Sequence, residues 1–143
     1  MPAKCTIFDN DLLKLIFNGT AIANIADNAA SNALTNLYVS LHTSSPGADG
    51  SQNTNEAGYG NYARVAVARS GSGWTITTSS VSPTSTISFP AADSGSEVET
   101  HFGIGTDPSG AGKLLYFGSI SPTISVSNGV TPQLTTASTI TEA

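Results

Sequence analysis

Charge is scarce in this sequence. Asp, Glu, Lys and Arg make up 10% of it, against roughly a quarter of an ordinary soluble domain. The five cations, Lys4, Lys14, Arg64, Arg69 and Lys113, are scattered through a chain of net charge −5 and pI near 4.6. Nucleic-acid binding takes a stripe of Lys and Arg laid against successive phosphates, and docking on anionic lipid takes a basic cluster. Neither a nucleic acid nor a membrane is therefore expected as a partner. Cysteine is limited to Cys5, which excludes an internal disulfide and a thiolate metal cluster and leaves a small packed thiol near the N-terminus. No run of residues approaches the ~18 apolar positions of a membrane span. The N-terminus shows neither the basic start nor the apolar stretch of a signal peptide, so the chain is expected to be made in a cytosol and to leave it only as part of something larger.

What the sequence has in quantity is Ser, Thr, Asn and Gly, hence a surface rich in hydroxyls and amides. A length of 143 residues suits one domain, and a chain of this size buries roughly 68–70% of its unfolded surface without needing a staple. Leu12, Leu13, Leu15, Ile16 and Phe17 give residues 8–18 an apolar face at helical spacing, with Asn10 or Asp11 placed to cap its start and Gly19 to end it. Residues 21–33, rich in Ala and Asn, suit a weak second helix or coil. Residues 1–33 are expected to form an N-terminal helix or arm, and residues 34–143 a β domain.

Beyond the arm the period changes to two. Residues 37–42, 62–69, 74–78, 86–89, 98–104, 114–118, 124–126 and 138–141 suit short strands separated by Gly, Pro, Ser and Asn turns. The Ser70-Gly-Ser-Gly73 turn is expected to join residues 62–69 and 74–78 as an antiparallel hairpin. Several short strands with such punctuation indicate a mainly β, single-domain antiparallel sandwich or jelly roll. Residues 46–60 hold no apolar run, and a loop of that length is a candidate contact element.

Chemistry-bearing residues are few. His42 and His101 are the only imidazoles, and each suits a half-buried strand position better than a two-His metal site. Glu97 and Glu99 share a strand face, but their neighbours Ser94, Gly95, Ser96 and Thr100 are polar, which suggests a solvated strand entrance and not the apolar pocket that acid catalysis requires. Asp49, Glu56 and Asp107 lack the ligand spacing of a calcium loop. No nucleophile motif frames any Ser, so neither catalysis nor a bound metal or cofactor is expected. Arg64 and Arg69 lie among small and branched apolar residues, where a cation is costly unless paired; the partner is either a loop acid such as Glu56 or an acidic surface on another molecule. Tyr38, Tyr59, Tyr62 and Trp74 suit core and rim positions, or a sugar-binding face. The candidate partner-contact residues are Asp49, Gln52, Asn53, Asn55, Glu56, Arg64 and Arg69, with Leu12 and Phe17 from the arm.

Residues 37–47 (LYVSLHTSSPG), Glu56 with Tyr59, residues 62–69 (YARVAVAR), Trp74, residues 87–90 (ISFP) and residues 101–106 (HFGIGT) occur in an order that resembles a family of small bacteriophage virion structural proteins. Members of that family often carry the label tail fibre protein, and similar-sized proteins of short-tailed phages act as capsid cement or decoration proteins. The resemblance implies a virion component with a β-sandwich or jelly-roll fold; a homodimer, or many copies on the particle, is expected separately because isologous pairs are common. Between the two positions a capsid-surface cement protein, bound across neighbouring major capsid protein subunits, is favoured. A tail fibre is usually long and built from repeats, and 143 residues of compact β sequence are not. A tail or baseplate component is the alternative, and a displayed glycan-binding module a third.

Overall fold

The computed structural model describes residues 6–22 and 33–142; Cys5 and most of the Ala- and Asn-rich stretch lie outside the described residues. Among the described residues, helix α1 (Thr6–Asn18) is followed by the strands β1 (Asn36–His42), β2 (Val65–Ala68), β3 (Trp74–Thr77), β4 (Ser80–Pro83), β5 (Ile87–Ser88), β6 (Glu97–Gly105), β7 (Leu114–Val126), β8 (Gln133–Leu134) and β9 (Ile140–Thr141). The fold is mainly β with antiparallel pairing and a short N-terminal helix, consistent with the sandwich class that the sequence indicated. The chain forms two compact units, one from Met1–Asn36, Val67–Thr86 and Thr135–Ala143, the other from Leu37–Ala66 and Ile87–Leu134.

In the first unit, α1 buries the 9-13-17 stripe, with Leu13 and Phe17 wholly enclosed and Asp9 nearly so. Phe17 meets Trp74 edge to face at a centroid distance of 4.7 Å, an arrangement that aromatic quadrupoles favour. The helix ends where expected, at Gly19 with φ of 66°. It starts at Thr6, so Asn10 and Asp11 lie inside it and not at its cap. The Asn10 carboxamide oxygen instead accepts the Ser79 amide, tying the helix to the turn between β3 and β4.

The expected hairpin between residues 62–69 and 74–78 does not form. The Ser70–Gly73 turn is present, with Gly73 and Trp74 amides both donating to Ser70 O, but β3 pairs with β4, in register from Trp74 opposite Pro83 to Thr77 opposite Ser80. Thr78 and Ser79 close that hairpin with φ of 35° and 59°. Two consecutive positive φ values make the tight turn whose twist suits paired strands, and here residues other than the usual Gly or Asn supply it. β9 then adds to β4, giving the order β3-β4-β9.

The larger sheet has the order β2-β1-β6-β7; β6, β7 and all of β1 but Asn36 belong to the second unit, as does the short β5-β8 pair, whereas β2 passes from the second unit to the first after Ala66. β1 runs antiparallel to β6 from Tyr38 opposite Gly105 to His42 opposite His101. Residues 114–118 and 124–126 prove to be parts of one strand, β7, whose register against β6 shifts between Glu99 and His101. Pro122 sits in that shift on an edge strand, where its missing amide breaks no ladder. The second shift lies between Ile104 and Gly105.

Candidate functional site

The long loop of residues 46–60 is built into the second unit. Its first half turns on itself through Gly50 N to Gly47 O and Thr54 N to Ser51 O, and its second half runs beside the end of β1, with Thr43 N donating to Asn55 O and Ala57 N to Leu41 O, both at 2.9 Å. Asn55 takes a φ of 55°, a left-handed conformation that Asn tolerates, and its side-chain amide donates to Ser45 O.

Two side chains lock this loop to residues 106–113. Gln52 is wholly buried; its Oε1 accepts the Asp107 amide at 2.9 Å, its Nε2 donates to Asp107 O, and its backbone amide donates to Ala111 O. Glycine at 105 makes room for it, since a Cβ there would stand 2.0 Å from Gln52 Cδ. Arg64 grips Glu56 with two parallel bonds, Nε to Oε1 at 2.6 Å and Nη2 to Oε2 at 2.8 Å, and donates onward to Asp107 O and Gly110 O. Its side chain is 2% exposed and that of Glu56 15%. The hydrogen bonds to Glu56 hold the guanidinium well above its ordinary pKa. Tyr62 completes the network by donating from its hydroxyl to Glu56 Oε1 and accepting from Leu41 N. Burial pushes the Tyr62 phenol far up, so it stays a neutral donor.

Two polar groups lie deeper. His42 is buried and bonded at both ring nitrogens, Nδ1 to Thr54 O at 2.9 Å and Nε2 to Ser40 Oγ at 2.8 Å. Thr54 O can only accept, so Nδ1 carries the proton and Nε2 accepts from the serine. Burial lowers the pKa of the ring, which keeps it neutral, and Gly103 leaves it space, since a Cβ there would be 2.8 Å from Nε2. His101 stands opposite His42 in the register, but both His42 nitrogens are committed, and among the described residues no group of three His, Cys, Asp or Glu could hold a metal ion. Glu97 and Glu99 do share a face of β6, yet the solvated entrance expected there is not found: Glu99 is 0% exposed. Burial first, then the hydrogen bond and charge of Glu97, push its carboxyl up to about 8.

Of the residues singled out from the sequence, the second unit brings together Gln52, Glu56 and Arg64, all turned toward their own fold, while Asp49, Asn53 and Asn55 are exposed on the same loop. Leu12 is half-buried and Phe17 lies in the core of the first unit. Arg69 is in that unit too, donating from Nε to Ile16 O at 2.6 Å and from Nη2 to Leu15 O at 2.5 Å, where a cation satisfies the last carbonyls of α1 and opposes its dipole. Tyr59 and Trp74 are buried, which withdraws two of the four rings from any sugar-binding face. Tyr62 was missed as a member of the Arg64 network, although a phenol two residues from Arg64 was a signal for it in the sequence.

No curated protein matches the chain. A family model described as podophage GP4 fiber I protein gp80 matches residues 3–141, N-terminal arm included, and the chain belongs to that family of phage virion structural proteins.

Proposed function

We propose that this protein is a fibre- or tail-associated structural component of a podophage particle and that it performs no catalysis. The observation that carries the reading is the match of a fiber-protein family model across residues 3–141. It favours the tail side over the capsid-cement position that compactness alone suggested, because the family description names a fibre. The buried polar groups suit a structural role. Arg64, Gln52 and His42 all spend their donors and acceptors on backbone and side chains of their own unit, which fixes two loops in one shape and leaves the exposed Asp49, Asn53 and Asn55 on a stiff support. Its partners in this reading are other virion proteins, or further copies of itself.

Cryo-EM of the intact particle, compared with a particle lacking this gene product, tests the proposal. Difference density at the tail is expected. Density repeated over the icosahedral shell, together with loss of heat resistance in the deficient particle, would overturn it in favour of a cement role.

A further inference from the structure

Glu97 and Glu99 stand two residues apart on one face of β6. Glu97 Oε1 accepts both the Gly58 amide at 2.8 Å and the Tyr59 amide at 2.9 Å, so this carboxyl docks the end of the 46–60 loop onto the strand. Glu99, wholly buried, has no hydrogen-bond partner for either carboxyl oxygen while both glutamates are ionised. Two carboxylates have no hydrogen to share. With one proton between them, Glu99 becomes a donor to Glu97, and its burial no longer strands a charge. The facing groups offer no other compensation. Opposite Glu97 and Glu99 on β7 lie Val126 and Ile124; from the loop comes the Tyr59 phenol, itself pushed up to about 12 by burial and the two glutamates; and His101 follows two residues along β6, beyond a register shift, with its Nδ1 bonded to Thr100 Oγ1. Among the described residues no lysine or arginine contributes to the Glu99 titration.

We infer that the Glu97–Glu99 pair is a proton-held latch: one shared proton keeps the Gly58–Tyr59 segment docked on β6, and its loss in mildly alkaline solution releases that segment. With the proton gone, Glu99 must find water. The nearest route is to displace Glu97 from the two amides it holds, so the loop end and not the sheet is the part that yields. The sign follows from the direction of the shift. Glu99 keeps its proton in the folded protein up to about 8, against an ordinary 4.5, so the latch contributes fully below the ordinary value and is progressively lost as pH rises through the folded one.

The test uses the full-length protein with Cys5→Ser, which removes the single thiol that would titrate in the same window. Carbon-13 NMR of the glutamate side-chain carboxyls is expected to show one group titrating near 8 that disappears in Glu99→Gln, with the Gly58 and Tyr59 amide resonances shifting at the same midpoint. Thermal melts between pH ~5 and ~9 are expected to show wild type losing at least ~5 °C relative to Glu99→Gln. A Glu99 midpoint below about 5, or Gly58 and Tyr59 resonances that ignore the titration, would overturn the latch. Because the NMR titration is read on the unsubstituted glutamates, it decides the matter even if Glu99→Gln fails to fold.

Discussion

Arg64 offers the sharpest test of how the second unit is held together. Its guanidinium makes four hydrogen bonds, two to Glu56 and one each to Asp107 O and Gly110 O, with the side chain 2% exposed. Replacing it by Met keeps much of the volume but leaves Glu56 a half-buried charge held only by Tyr62, and removes the Arg64 donor from two loop carbonyls. Breaking one side of a buried pair costs about 3–5 kcal/mol, equivalent to a fall in Tm of roughly 10 °C for a chain of this size. Arg64→Lys keeps the charge but not the fork. An ammonium cannot span the two Glu56 oxygens and still reach both carbonyls, so a loss of ~1–3 kcal/mol is expected. Urea denaturation of Arg64→Met, Glu56→Gln and the double variant completes a cycle whose coupling is expected to reach at least ~1.5 kcal/mol. That coupling should persist in about 0.5 M salt, because a buried pair is screened far less than a surface one. If Arg64→Lys stays within ~0.5 kcal/mol of wild type, the pair behaves as an exposed ion pair and the reasoning fails.

Two further substitutions probe the local geometry. Gly105→Ala drives a methyl to 2.0 Å from Gln52 Cδ and is expected to cost ~1–3 kcal/mol; pairing it with Gln52→Ala should recover part of the loss in the same denaturation assay, and full additivity would show that the two sites do not meet. Thr78 holds a φ of 35° in the β3–β4 turn, a conformation unfavourable for a β-branched residue, so Thr78→Asn is expected to raise stability by ~0.5–1 kcal/mol, and a lowered Tm would count against the turn as described.

Periodicity exposed the elements that bury apolar residues. The helix with its Gly19 stop, β1 and β6 all follow from patterns in which burial decides the face. What stayed hidden depended on residues that carry no pattern. β4 escaped notice because its hairpin turns at Thr78 and Ser79, where neither residue advertises positive φ, and the Ser70-Gly-Ser-Gly73 run offered a more obvious but incorrect pairing of β3. β7 looked like two strands because Pro122 interrupts it, and only the register shift on β6 shows how an edge strand absorbs that proline. The Glu56 partner of Arg64 was legible, since a cation among apolar neighbours demands an acid and that loop holds one. Glu99 was not: four polar neighbours in sequence suggested water, whereas in the fold the side chain is wholly buried.

The same electrostatic economy bears on how such a protein attaches to its particle. Arg64 and Arg69 are both drawn inward, one onto Glu56 and loop carbonyls, the other onto the last carbonyls of α1. Among the described residues the remaining cations are Lys14 and Lys113, both exposed. Outward-facing chemistry is therefore mostly hydroxyl and amide, with a few acids such as Asp49, Asp93 and Asp107. A partner binding there finds little charge to steer it and few ions to release, so its affinity rests on shape and on hydrogen bonds made by groups already in place. Such contacts repay stiffness, because a loop ordered before binding loses no further entropy when the partner arrives. If the proposed fibre role places this face in contact with a partner, the internal pairing of Arg64 and Gln52 serves attachment indirectly: by fixing residues 46–60 and 106–113 against each other, it presents a sparsely charged surface whose shape is settled before contact is made.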